Sequence, residues 1–413
     1  MAGNGIVIVG GGHGGSQIAA SLREKGYDGP LTLVSAESEI PYQRPPLSKA
    51  FLKDPAHDLL PLRPASFYEK NHIALRLGTE AVAIDRREAQ LRLADGTSLA
   101  YDKLALAVGS RPRIPAIAGV DLDGVFYLRE ARDARWLRSR LPNSSNVVVI
   151  GGGFIGLEIA ATARLLGKTV TVLEAADRLM GRVVHPEISR HFRELHEGWG
   201  TDLRFKTPVG AIIGEGGKVV AVETATGERI AADVAVIGIG ILPNVEMAAE
   251  AGLAIDNGIL VDASMATSDP AVVSIGDCVT FDHWDLGRRV RLESVQNAVD
   301  QGKTAALTLL GKGEPYRAVP WFWSDQGDVK LQMVGLSNDA DRSVLRGRAD
   351  DGSFSVFHFA AGRLVAIDSV NRPSDHMVGR RMIGAGISPP PEVVADEGAD
   401  LKALAAAAPA PAR

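Results

Sequence analysis

Short, unbroken apolar runs that end in clusters of glycine dominate the hydrophobic pattern of the chain. Ile6-Val7-Ile8-Val9 runs into Gly10–Gly15, and Val147-Val148-Val149-Ile150 runs into Gly151–Gly156. Runs of this length without polar alternation predict strands buried on both faces of a parallel sheet. A helix-forming stretch follows each cluster, at 16–25 and 157–166. A second apolar strand then follows, Leu31 to Val34 in one case and Thr169 to Leu173 in the other. The chain thus carries two βαβ units about 140 positions apart, an internal duplication rather than a short-period repeat.

Other segments read differently. Tyr101 to Gly109 is an apolar strand entering the proline-rich turn at Arg111–Pro115, a point where the chain is expected to cross between domains. Thr201 to Ile230 alternates, with turns at Gly214, Gly216-Gly217 and Gly227, and predicts a β-meander. Asp233 to Gly240 is a buried strand, and Leu242-Pro243-Asn244 is a second crossover. From Pro320 the texture changes. Phe354 to Phe359 alternates, Ala361-Gly362 turns, and Leu364 to Ile367 returns, which predicts an antiparallel hairpin in a separate α+β domain. The Ala/Pro-rich stretch 405–413 is expected to fray.

Composition narrows the class. A length of 413 residues implies two or three domains, and 46% hydrophobic with 23% charged residues is ordinary for globular proteins. A net charge of −5 argues against a generally basic nucleic-acid binder. Cys278 is the only cysteine, which rules out an internal disulfide and any paired redox cysteines. Residues 1–9 have no positive charge before their apolar run, unlike a signal peptide, and no apolar run approaches the roughly 20 residues of a membrane helix. A soluble, cytoplasmic protein is expected.

The glycine clusters carry the first chemistry. Gly10-x-Gly12-x-x-Gly15 follows a strand and opens a helix. The first glycine allows the tight turn, the second lets backbone approach a pyrophosphate, and the third lets helix pack on strand. Glu37, just past the second strand, is placed to take a ribose. Gly151-x-Gly153-x-x-Gly156 repeats the pattern, with Glu174 at the end of its second strand. A carboxylate there accepts from ribose hydroxyls and repels a 2′-phosphate, so NADH is favoured over NADPH, although Arg178 lies nearby. Two such sites suggest one tightly held dinucleotide, FAD at the first, and one that comes and goes. Gly276-Asp277, after the strand Val272–Ile275, supports this, because a carboxylate at a strand end can fix a polyol such as the ribitol of FAD.

Through these motifs and others the chain resembles the FAD-containing, NADH-dependent ferredoxin reductases over nearly its whole length. The markers are Arg44-Pro45-Pro46-Leu47-Ser48-Lys49, Gly151 to Glu158, Thr267 to Cys278, Glu293 to Ala298 and Pro320 to Gln326. The resemblance implies an α/β fold of glutathione-reductase-like architecture, with two Rossmann-like domains and a C-terminal α+β domain. The FAD domain would take 1–112 and 242–319, the inserted NAD domain 113–241, and the C-terminal domain 320–413. It places Gly14, Arg44, Lys49, Val82, Arg129, Asp277 and Val295 among the FAD contacts. It pairs Lys49 with Glu158 beside the flavin, makes Phe154 the gate to the nicotinamide position, and sets Trp323 near the flavin ring. Val295 would begin a helix whose dipole stabilises negative charge on the reduced flavin.

Two departures stand out. The family's Asp after the second strand is Ala36 here, with Glu37 next, and its Ala-Thr-Gly is Ala107-Val108-Gly109, one hydroxyl fewer. No flavin-adjacent cysteine occurs in Tyr42 to Lys49, so electrons must leave the flavin directly for an external acceptor. The acceptor implied is an acidic 2Fe–2S ferredoxin feeding a haem-thiolate monooxygenase or a Rieske-type oxygenase. Arg63, Lys303, Arg380 and Arg381 are candidates for a basic docking face. An NADH oxidase or quinone reductase, or an NADH-sensing interaction protein like apoptosis-inducing factor, are the alternatives. Plainer readings cover the rest. Cys278 is a buried small residue, His13 shapes its loop or touches a phosphate, His358 is a satisfied sheet histidine, and Trp136 and Trp199 are packing residues. No residues have metal-ligand spacing, and there is no GxSxG elbow.

Overall fold

A computed structural model of the chain describes residues 3–406. It divides into two compact units, each assembled from separate stretches of sequence. The first takes the chain up to Gln43, then Leu59–Arg111 and Ile241–Ala318; the second takes Arg44–Asp58, Pro112–Gly240 and the chain from Val319 onward.

The first unit is built on a five-stranded parallel sheet in the order Val272–Ser274, Lys103–Leu106, Ile6–Val9, Leu31–Val34, Ile73–Arg76. Ile6–Val9 is central and every residue in it is buried, which is why it is apolar throughout rather than alternating. The helices His13–Glu24 and Val295–Leu309 pack together closely. A Cβ on Gly302 would lie 3.2 Å from the Gly14 carbonyl oxygen, and one on Gly14 would lie 2.5 Å from Ile275 Cδ1. Two three-stranded sheets complete the unit, Ala81–Asp85 with Gln90–Leu93 and Ser98–Ala100, and Ile259–Val261 with Val279–Asp282 and Arg289–Val290.

The second unit repeats the parallel plan in the order Asp202–Arg204, Thr169–Leu173, Asn146–Ile150, Val234–Ile237, Val125–Phe126. Here one expectation is corrected. Asp202–Arg204 joins this parallel sheet rather than a meander, which begins only at Val209–Glu215 and continues through Lys218–Thr224 and Arg229–Ala231. A three-residue edge strand needs no apolar run, so its polar sequence disguises it.

The C-terminal region is a five-stranded antiparallel sheet in the order Trp321–Gln326, Val329–Gly335, Arg363–Val370, Ser353–Ala360, Arg342–Arg348. Alternation gives it two apolar faces. Val334, Phe357, Ile367 and Met382 form a core with the helix Pro373–Gly384. Leu331, Phe354, Val356 and Val370 form another with Leu157, Ile188 and Phe192. That shared core explains why this sheet and the second parallel sheet fold as one unit.

Local corrections follow. The two loop helices start at His13 and Phe154, three residues earlier than propensity suggests, because glycines that disfavour helix are held there by packing. Trp136 is 58% exposed, with the Arg132 guanidinium 5.2 Å from its ring centroid, so it is not a packing residue. The helix Ala131–Arg140 buries Ala131, Ala134 and Leu137, and position 136 falls on the opposite face. Residues 405 and 406 close the helix Leu401–Ala406 instead of fraying; 407–413 lie outside the described residues. Among the described residues no helix is long and apolar enough to cross a membrane.

Candidate functional site

In the first unit the glycine loop has the division of labour its spacing implies. Gly10 has φ +115°, and a Cβ there would sit 2.2 Å from the Ala107 carbonyl oxygen. A Cβ on Gly15 would sit 1.9 Å from the Gly10 carbonyl oxygen. Both contacts are with backbone, so both positions require glycine for close packing. Gly12 is different, with nothing within 4 Å of an added Cβ. It is also the N-cap of the helix His13–Glu24, which has no side-chain cap and no acidic residue in its first turn. An open approach in front of uncapped helix N–H groups suits a pyrophosphate.

The remaining first-unit candidates are scattered along the sequence, on separate elements. Glu37 accepts a hydrogen bond from the buried Tyr42 hydroxyl, which fixes its carboxylate. Asp277 accepts from Ser110 Oγ at 2.9 Å, and its neighbour Gly276 donates its backbone N–H to buried Gln301 at 2.7 Å. Val295 is the first residue of its helix, capped by Ser294, whose Oγ accepts from the Asn297 N–H at 3.1 Å. Val82 lies on a different sheet, at a bulge in Ala81–Asp85, and is 44% exposed. A bulge turns an apolar side chain outward without a ladder partner, a common way to re-aim a residue beside a ligand. Cys278 is fully buried, its Sγ donating to the Ile275 carbonyl at 3.2 Å, and burial pushes the thiol up to about 11.

In the second unit the glycine pattern recurs. Gly151 has φ +107°, and its Cβ would meet the Gly238 carbonyl oxygen at 2.5 Å. A Cβ on Gly156 would meet the Gly151 carbonyl oxygen at 2.3 Å, whereas one on Gly153 has its nearest neighbour at 3.9 Å. Glu174 accepts the Gly152 N–H and the Ala176 N–H, each at 2.7 Å, one on each carboxylate oxygen. Arg178 donates to Val184 O, Ser189 Oγ and Gly181 O, so its guanidinium is occupied with its own loop. Two open-fronted glycine loops of this geometry fit two dinucleotides.

The same unit brings the charged pair together. Lys49 Nζ lies 2.7 Å from Glu158 Oε2, and Glu158 is 3% exposed. Ser48 Oγ donates to the same oxygen, and Ser324 Oγ donates to Oε1 at 2.7 Å. Arg44 donates to the Arg129 carbonyl at 2.7 Å, which joins two further candidates. The Phe154 ring lies 4.7 Å from Phe322, and the Trp323 ring lies 5.5 Å from Trp321. Sequence reasoning missed Ser48, Ser324 and Phe322. Ser48 and Ser324 lie inside marker segments but 110 and 166 positions from Glu158, and only the fold brings them to it.

His358 is the satisfied sheet histidine expected of its strand. His358 is buried, Nε2 lying 3.1 Å from Asp368 Oδ2 and Nδ1 lying 3.0 Å from Ser343 Oγ. Trp199 packs edge-on to His196 with ring centroids 5.0 Å apart.

Comparisons with known proteins agree with this geometry. Residues 4–302 match the pyridine nucleotide-disulphide oxidoreductase family, and residues 321–405 match the reductase C-terminal family. Rhodocoxin reductase of Rhodococcus erythropolis is 46% identical over 398 residues, 96% of this chain and 93% of that protein. The solved ferredoxin reductase for the CYP199A2 system from Rhodopseudomonas palustris has a TM-score of 0.95 and 45% identity, covering 97% of this chain and 100% of that one. The covalent putidaredoxin reductase–putidaredoxin complex also gives a TM-score of 0.95, with 41% identity and 99% of both chains covered. These matches run through both glycine loops and the C-terminal sheet alike, and the chain belongs to the pyridine nucleotide-disulphide oxidoreductase family, among its ferredoxin reductases.

Proposed function

We propose that this protein takes a hydride from NADH onto bound FAD and passes the electrons one at a time to a 2Fe–2S ferredoxin, which supplies a haem-thiolate monooxygenase or a Rieske-type oxygenase. The observation that carries this reading is the state of its only cysteine. The Cys278 thiol is buried and its pKa is pushed up to about 11, so it stays protonated and unreactive. With no second cysteine in the chain, no dithiol can take electrons from the flavin. They must leave for an external acceptor, as the names of the related reductases describe for those proteins.

The geometry and the family resemblance together support these roles. Gly12 receives the FAD pyrophosphate on a loop whose close packing Gly10, Gly14 and Gly15 allow, and Glu37, fixed by Tyr42, takes its ribose in place of the family Asp. Arg44, Val82, Arg129 and Asp277 complete the FAD contacts, and the helix that begins at Val295 offers its N-terminal dipole to developing negative charge. Gly151, Gly153 and Gly156 receive NADH, with Glu174 on the ribose hydroxyls. With Arg178 held by its own loop, its guanidinium is not turned to offset the repulsion between Glu174 and a 2′-phosphate, which favours NADH over NADPH. Bound FAD supplies the conversion from a two-electron donor to one-electron acceptors. Lys49 holds a positive charge for the hydride step, Glu158 orients Lys49, and Phe154 gates the nicotinamide position. Trp323 marks the way out. NADH as donor suits the cytoplasm.

The docking face for an acidic ferredoxin centres on Arg380 and Arg381, both exposed on the helix Pro373–Gly384, with the Arg380 guanidinium 4.9 Å from the Trp321 ring. Arg63 and Lys303 belong to the other unit, where Arg63 donates to Ser16 and Gln17 and Lys303 pairs with Asp300 at 2.8 Å. The test is NADH-dependent cytochrome c reduction with and without an added 2Fe–2S ferredoxin, at low and high salt. A large ferredoxin-dependent rise that falls with salt is expected. A rate indifferent to ferredoxins, with rapid oxygen uptake, points to an NADH oxidase instead; slow reaction with every acceptor points to a sensor.

A further inference from the structure

The helix Phe154–Leu165 places Phe154, Glu158 and Thr162 on one face, four residues apart. The strand Trp321–Gln326 places Phe322, Ser324 and Gln326 on one face, two residues apart. These two faces meet in register. Phe154 packs on Phe322, and Ser324 Oγ donates to Glu158 Oε1. Behind Ser324 the contacts continue. Gln326 Nε2 lies 3.4 Å from Ser324 Oγ, and Gln326 Oε1 lies 2.9 Å from His196 Nε2. His196, Gln326 and Ser324 are fully buried.

The chemistry of the groups sets the direction of every hydrogen bond. A carboxylate only accepts, so the Ser324 hydroxyl spends its proton on Glu158 and accepts from the Gln326 amide. The Gln326 carbonyl must then accept from His196 Nε2–H. His196 fits that role. Burial pushes its pKa down, so it is neutral, and its Nδ1 has no hydrogen-bond partner among the described residues. The hydrogen bonds from His196 through Gln326 and Ser324 therefore run toward Glu158, while the Gln326 amide also lies 3.7 Å from Met180 Sδ. Serial hydrogen bonds of one polarity strengthen one another. On the other side, Ser48 and Lys49 hold Oε2. A carboxylate gripped on both oxygens cannot swing, whereas an isolated lysine–glutamate pair with a partly exposed lysine is loosely fixed.

We propose that Ser324, backed by Gln326 and His196, is a positioning residue that fixes Glu158 and through it Lys49 for the hydride step. This rests on the reading that Lys49 and Glu158 serve the flavin.

The test uses the full-length, flavin-loaded protein and three variants, Ser324→Ala, Ser324→Thr and Glu158→Gln. The readouts are the flavin midpoint potential by spectroelectrochemistry, the single-turnover rate of flavin reduction by NADH with its saturation constant, and the melting temperature. Ser324→Ala is expected to slow reduction about tenfold with the NADH saturation constant within about twofold, since one hydrogen bond to a charged group is lost. It should also shift the midpoint potential in the same direction as Glu158→Gln, and by a smaller amount. Ser324→Thr, which keeps the hydroxyl, should stay near wild type in both. If Glu158→Gln moves potential and rate but Ser324→Ala changes only melting temperature, Ser324 is structural and the proposal fails while the site reading stands. If Ser324→Ala and Ser324→Thr shift the potential alike, the hydroxyl is not what acts, and the proposal fails. If Glu158→Gln moves neither, the site reading fails with it.

Discussion

The two glycine loops share a backbone device and differ in what stands one turn later. In both, the first glycine has positive φ and lies against a carbonyl of the neighbouring strand end, and the third lies against the carbonyl of the first. In both, the second glycine faces open space or nearly so. The following residues diverge. Position 14 is a glycine that admits a second helix, whereas its counterpart is Ile155, 45% exposed. Gln17 bonds Ser21 and Arg63 within its own unit, whereas its counterpart Glu158 is the centre of a buried charged network. Ser35 occupies the place after the second strand that Glu174 takes in the other unit, and the acidic group moves two residues on to Glu37. A duplicated phosphate cradle has thus been built once into tight packing, suited to a resident cofactor, and once into a polar and aromatic face, suited to one that arrives, reacts and leaves.

The largest expected effect comes from the feature the loops share. Gly15→Ala sets a Cβ against the Gly10 carbonyl that closes its loop, and Gly156→Ala does the same to Gly151. Each is expected to cost more than about 3 kcal/mol, read as a fall in urea midpoint. A variant with unchanged midpoint breaks the claim that the third glycine is required for close approach. A smaller effect separates the loops. Glu174→Ala strips acceptors from the Gly152 and Ala176 N–H groups and removes the charge that repels a 2′-phosphate. The preference for NADH over NADPH in kcat/KM should narrow by about tenfold, with flavin content unchanged.

The smallest effect lies outside both loops. His376 is buried beside Trp321, and burial with the nearby Arg380 lowers its pKa from 6.5 to about 4. Between those values the unfolded chain binds a proton that the folded chain does not. Stability contributed by neutral His376 is therefore complete above pH 6.5 and is lost as pH falls toward 4. Urea unfolding of His376→Gln at pH 7 and pH 5 should show a shallower loss on acidification than wild type, with the flavin-to-protein ratio at pH 7 untouched. An equal pH slope contradicts the assignment.

What the sequence made legible follows from the range of each interaction. The parallel strands and both glycine turns were legible because their causes are local: β-branched runs, and glycines at fixed offsets that backbone geometry demands. The helix starts at His13 and Phe154 were misplaced because propensity penalises glycines that packing holds in helix. Asp202–Arg204 was hidden by its short, polar edge position. Trp136 was misread by residue type, although the buried spacing of Ala131, Ala134 and Leu137 already put it on the outer face. Lys49 and Glu158 came through family resemblance, and their partners Ser48 and Ser324 came through neither route. A hydrogen bond across 166 positions depends on the helix face and the strand face meeting in register, and no local pattern encodes that.

In the division proposed for the two loops, the first holds the resident FAD and the second the passing NADH. Gly12 and Gly153 test it directly. Both are N-caps with extended backbone, φ −81° and −85°, which any residue adopts, and both leave room for a side chain. Aspartate at either position is a good N-cap but puts a negative charge where a phosphate must sit. The measurement is the visible spectrum of each purified, folded variant before and after anaerobic addition of NADH. A colourless Gly12→Asp protein is expected, beside a yellow Gly153→Asp protein that NADH does not bleach. A yellow Gly12→Asp protein beside a colourless Gly153→Asp protein would contradict it.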